Sequence, residues 1–144
     1  MTTHAVIFPI GKDLYAVAAS AVREVVCDPS ATRLPTAPSV FLGVFNLRGE
    51  VVPIFDTAAL LAIGTLADTF HVVVVTTAAG PAGLVVSGLP TVAVLESAIG
   101  PSELRATAGV YAVDEGIAVL VDIEALLLPH TNLAAAMADA PVTR

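Results

Sequence analysis

From Thr69 to Leu95 the chain runs for 27 residues without an aspartate, glutamate, lysine or arginine, and its fold must hide that stretch. Length alone would let such a run cross a bilayer as a helix. The run is punctuated, however, by Gly80, Pro81, Gly83, Gly88 and Pro90, and its apolar pieces HVVVV, GLVV and TVAVL are short, β-branched and bounded by turn residues. That pattern predicts buried strands and no membrane insertion. With 56% hydrophobic and 13% charged residues overall, two readings stand: strands covered on both faces, or an apolar surface kept for partners.

At 144 residues the chain is expected to form one domain spanning 1–144, large enough to bury roughly 70% of its unfolded surface. One cysteine, Cys27, excludes an intramolecular disulfide and a cysteine-based zinc site, and fits a reducing compartment. The N-terminus MTTHAVIFPIG lacks a basic segment before its apolar residues and meets Pro9 and Gly11 early, so the expected location is the cytoplasm. A net charge of −7 argues against nucleic acid, whose phosphates must be neutralised by Lys and Arg. Arg23, Arg33 and Arg48 nonetheless fall close together in sequence, which leaves room for a small basic patch.

Turn residues divide the chain into ten extended runs: 5–8, 14–18, 22–27, 44–47, 51–55, 70–76, 83–86, 91–95, 110–113 and 117–121. Strands so short and evenly spaced predict an all-β barrel or sandwich. Two short helices are expected, TAALLAI opened by Asp56 or Thr57 and IEALLL opened by Asp122. The Ala-rich tail 130–144 reads either as a docked helix or as a frayed end, and RLPTAPSV at 33–40 as an extended connector. No internal repeat is visible.

Motifs for chemistry are absent. His4, His71 and His130 are far apart and lack paired ligand spacing, so no metal site is expected. No phosphate loop, nucleophile elbow or dinucleotide fingerprint is present, hence no cofactor and no enzyme chemistry. Asp56 and Asp122 read as helix caps.

GVFNLRGEVVPIFD, Gly43 to Asp56, sets Arg48 at a hairpin turn between two apolar runs. There a long side chain either is simply solvated or reaches out to make bidentate contacts. Asn46 and Gly49 fit the turn itself, one by bonding nearby backbone and the other by adopting positive φ, and Gly43 belongs to the same structural set. Glu24 reads as a charge defending an edge strand, and Val22, Val25 and Val44 as ordinary core.

VFLGVFNLRGEVVPIFDTAALL, together with IGKDLYAVAASAVREVV upstream and AGLVVSGLPTVAVL and IAVLVDIEALL downstream, resembles the CheW-like domain of bacterial chemosensory systems from about 4 to 128. The resemblance implies two five-stranded SH3-like β-barrel lobes around a shared apolar core. It also implies a non-enzymatic adaptor that couples the cytoplasmic tips of chemoreceptors to the regulatory domain of a CheA-like histidine kinase, associated with membrane-bound receptor arrays. Arg48 would then lie in the receptor-contacting groove beside Glu24, with Val22, Val25 and Val44 as its apolar part. The sequence departs from the family at Ser87, where an aspartate is common, which puts any contact through that acid in question. Two alternatives accompany this reading: a CheW-like scaffold of a pilus-motility or other non-flagellar system, and a small-ligand binding module using the interlobe cleft.

Overall fold

The computed structural model describes residues 2–33, 39–66 and 69–130, so the expected tail and much of the Pro-rich connector lie outside the described residues. In chain order the strands are β1 (Thr3–Ile10), β2 (Asp13–Ala18), β3 (Val22–Cys27), β4 (Phe41–Leu47), β5 (Glu50–Asp56), β6 (His71–Thr77), β7 (Gly80–Val86), β8 (Thr91–Leu95), β9 (Ala98–Gly100), β10 (Thr107–Val113) and β11 (Gly116–Val121). Helix α1 (Thr57–Leu60) follows β5 and α2 (Ile123–Leu127) follows β11. Each of the ten extended runs corresponds to a strand. The additional one, β9, has three residues, too few for any periodicity to register.

The strands form a five-stranded sheet, β3-β6-β7-β5-β4, and a six-stranded one, β8-β1-β2-β11-β10-β9. Each sheet is apolar on both faces. Val73 and Val75 enter a core shared with Phe8, Tyr15 and Val17 of the other sheet, while Val72 and Val74 point into the first lobe's own interior with Phe45, Leu47, Val52 and Ile54. All four valines are fully buried. Successive strand residues face opposite ways, so a β-branched run covered on both sides is what a sheet curled over its own interior requires. Position thus explains the charge-free segment through β6 and β7, but not TVAVL: the expectation of a buried strand fails there, because β8 is an edge strand with Val92 and Val94 exposed. The second lobe encloses a smaller interior of Ala5, Ile7, Ala16, Leu95 and Ala118.

No repeat is visible in the sequence, but the topology contains one. Hairpin β1–β2, strand β3, hairpin β4–β5 and helix α1 recur in the same order as β6–β7, β8, β10–β11 and α2. The two units exchange hairpins: β1–β2 completes the lobe built by β8, β10 and β11, and β6–β7 completes the lobe built by β3, β4 and β5. Parallel pairings mark the exchange, Ile54 beside Gly83 in one lobe and Leu120 beside Ala16 in the other. Asp56 and Asp122 cap the equivalent helices, accepting from Ala59 N at 3.1 Å and Ala125 N at 3.2 Å. The resemblance of IFDTAALL to LVDIEALL is the trace this symmetry leaves in sequence.

Candidate functional site

Leu47 pairs with Glu50 across β4 and β5, leaving Arg48 and Gly49 as a two-residue loop. Both have positive φ, 51° and 94°. Positive φ at both central positions gives the turn whose twist matches its flanking strands. Asn46 Oδ1 accepts from Gly49 N at 2.7 Å and fixes the loop from below. Arginine in this conformation is uncommon, and such backbone outliers gather at functional positions.

Strands β3 and β4 are opposite edges of the five-stranded sheet, yet side chains of β3 meet those at the tip of the β4–β5 hairpin because the sheet curls. Arg48 Nη2 donates to Glu24 Oε1, and Arg23 Nη2 pairs with Glu50 Oε1 at 2.5 Å. A bulge makes both contacts available to neighbouring residues of β3. Val22 lies opposite Val75 and Glu24 opposite Val74, so Arg23 is the extra residue and the usual alternation of side chains breaks there. The pair Arg23–Glu50 escapes sequence reasoning for this reason. Its only signal is the reciprocal order of charges, Arg-Glu on one strand and Arg-Gly-Glu on the hairpin.

The Arg48 side chain is 67% exposed and that of Glu24 29%. Hydrogen bonding to Glu24, then the charges of Glu24 and Glu50, hold the guanidinium above its ordinary pKa against slight desolvation. An exposed ion pair of this kind adds little stability. Its effect is positional: Glu24 occupies one of five N–H donors and holds the planar fork at the tip of the lobe.

Val25 lies next to Glu24 on β3 and is 39% exposed, whereas Val22 and Val44 are half-buried against the shared core. Of the three valines, Val25 is the most exposed, and strand alternation turns it to the face opposite Glu24. Gly43 has φ 148°, and a Cβ there would run into the carbonyl oxygen of Thr32. Thr32 and Val44 exchange backbone hydrogen bonds of 2.7 and 2.9 Å, so the chain before the connector lies along the outside of β4. Ser87 Oγ accepts from Gly11 N at 2.9 Å, and Ser87 N donates to Pro9 O at 2.9 Å. The residue that departs from the family pattern thus ties the β1–β2 turn to the end of β7.

His71 meets Phe70 edge-on and His130 packs against Phe55, with ring centroids 4.8 and 5.9 Å apart, and His4 is exposed on β1. Among the described residues no group of His, Cys, Asp and Glu is arranged to hold a metal ion, and no helix is long and apolar enough to cross a membrane. Cys27 is exposed at the end of β3. Between the lobes a cavity of about 410 Å³ is lined by Ile10, Tyr15, Ile63, Leu66 and Leu104, among others. Burial, and secondarily Asp13, raises the pKa of Tyr15 there.

Two intertwined β lobes with a charge-locked hairpin tip define an all-β, two-lobed domain. The CheW-like domain model matches residues 4–128. A probable chemotaxis protein CheW of Rhizobium etli is 33% identical over 83% of this chain and 83% of its own length. The chemotaxis protein CheW of Klebsiella aerogenes is 33% identical over 84% and 79% respectively. The crystal structure of the scaffolding protein TtCheW from Thermoanaerobacter tengcongensis superposes with a TM-score of 0.71, covering 84% of this chain and 89% of that one at 25% identity. The chain therefore belongs to the CheW-like domain family, and its role is that of a chemotaxis scaffold.

Proposed function

We propose that the protein is a non-enzymatic adaptor that holds chemoreceptor tips in the groove at Arg48 and Glu24 and binds the regulatory domain of a CheA-like histidine kinase through other barrel surface. It would work at the cytoplasmic face of receptor arrays. The observation that carries this reading is the Arg48–Glu24 pair: an exposed guanidinium held by hydrogen bonding on a left-handed turn. Such a tip offers a partner a fixed cationic fork. Signalling then requires only that the adaptor make different contacts with two states of the kinase.

The test is Arg48→Glu, with circular dichroism and binding to a receptor cytoplasmic fragment measured together. The fold is expected to persist, because the side chain lies outside every core cluster, while receptor binding falls by at least roughly tenfold from charge reversal at a contact centre. Combining it with Glu24→Arg is expected to restore part of that loss through the swapped pair. Unchanged receptor binding in a folded Arg48→Glu protein would refute the assignment.

A further inference from the structure

The two lobes can be aligned through their ladders. Glu24 lies opposite Val74, Val74 opposite Gly83, and Gly83 beside Ile54, two residues before the cap Asp56. Thr91 lies opposite Ile7, Ile7 opposite Ala16, and Ala16 beside Leu120, two residues before the cap Asp122. Thr91 therefore stands where Glu24 stands. Arg48 and Asp114 likewise occupy the first loop position of the hairpins leading to the two caps. Threonine and aspartate form no ion pair, and in place of the contact seen in the first lobe the second has a cleft of about 650 Å³. Its lining includes Val92, Val94, Glu96, Ala112, Asp114 and Glu115.

We propose that this cleft is a strand-addition site for an extended polypeptide segment alternating apolar side chains with lysine or arginine. Among the described residues strand β8 ends its sheet and is bonded on one side, to β1. Edge strands are normally defended by charge, a bulge or a cover. The five residues of β8, TVAVL, carry no charge, their register with β1 is regular, and Val92 and Val94 are 75% and 46% exposed. An incoming strand would satisfy the outer backbone groups of β8 and set alternate apolar side chains over these valines. Charge decides which segment fits. Three carboxylates, Glu96, Asp114 and Glu115, border the cleft with no lysine or arginine among its described lining residues, in a chain of net charge −7. Cationic side chains would be drawn in and acidic segments repelled. The site is separate from the Arg48 tip and does not depend on the receptor reading.

The experiment uses the full chain and two synthetic peptides, one alternating arginine with valine and one alternating glutamate with valine. Binding is measured by fluorescence anisotropy and backbone protection by amide hydrogen exchange. The arginine peptide is expected to bind, to slow exchange across Thr91–Leu95, and to weaken as salt rises. Asp114→Asn combined with Glu115→Gln should weaken it roughly tenfold, and Val94→Lys should abolish binding. Glu103→Gln, which removes a carboxylate outside the cleft lining, should leave it unchanged. The salt titration and exchange on the unmodified chain decide the matter if a variant fails to fold. Equal binding of the glutamate peptide, protection elsewhere than β8, insensitivity to salt, or no binding at millimolar peptide would each overturn the proposal.

Discussion

Two equivalent positions, Gly83 in the first lobe and Ala16 in the second, sit beside the parallel strand that leads to a capped helix. Around Gly83 the interior is built of Val72, Phe45, Leu47 and Ile54, and a Cβ on that glycine would come within 2.8 Å of Val72 Cγ1. Around Ala16 the residue equivalent to Val72 is Ala5, and the methyl group fits. One lobe fills its interior with large side chains and gives up a Cβ where the strands press together. The other distributes small residues evenly. The same division holds at the surface, where the first lobe closes its edge with two ion pairs and the second leaves β8 open. The lobes share a topology and differ in how tightly they are shut.

The caps give the largest expected contrast. Asp56 is 2% exposed and accepts from two backbone groups, Ala59 N and Leu66 N, the latter at 2.7 Å. Asp122 is exposed and caps through Ala125 N. Asp56→Ala should therefore cost about 2 to 3 kcal/mol and Asp122→Ala about 1 kcal/mol, read from urea denaturation. Equal costs would mean the two helix starts are alike.

Gly83→Ala should cost about 1 to 3 kcal/mol by overpacking. Adding Val72→Ala, which installs the second lobe's pairing, should recover part of that loss, a non-additive coupling between neighbours. Additive losses in thermal melts would show that the tight contact at Gly83 is not what separates the lobes.

Much of this was legible and some could not be. Turn residues located the ten strands and NLRG announced a hairpin, because these signals are local; the bounds were less exact, since β4, β7 and β10 each begin three residues before the runs 44–47, 83–86 and 110–113. The exchange of hairpins left almost no mark, since β1 meets β8 across more than half the chain and pairing at that range has no sequence period. At the site, Arg48 and Glu24 were found through resemblance, while the bulge at Arg23 that brings Glu50 into the set depends on a register shift hidden from any alternation pattern.

Smaller effects sharpen the comparison. Helix α1 ends in Ala62 at φ 61°, with Ile63 N donating to Ala58 O, whereas α2 continues into Leu128 in right-handed geometry. Ala62→Gly should stabilise by about 0.5 to 1 kcal/mol, and Leu128→Gly should not, as melting temperatures will show.

The smallest effect concerns His130, whose pKa is lowered by burial and then by Arg105. The unfolded chain takes up this proton more readily than the folded one. The corresponding stability is therefore complete above about pH 6.5 and declines as pH falls toward the lowered folded value. His130→Phe, which keeps the packing on Phe55, should flatten the stability profile below that pH. An unchanged profile would remove His130 as its source.

The exchanged hairpins also bear on how the molecule is made. A ribosome delivers β1 and β2 well before their partners β8 and β11, so at roughly 5 to 20 residues per second this hairpin waits several seconds for its neighbours. The lobe containing β3, β4 and β5 acquires β6 and β7 sooner and is positioned to form first. Its face toward the shared core then offers Phe41, Phe55 and Leu84 as a template against which Phe8 and Tyr15 can settle. The tightly shut lobe would thus be the mould, and the open one the casting completed once β8 to β11 have emerged.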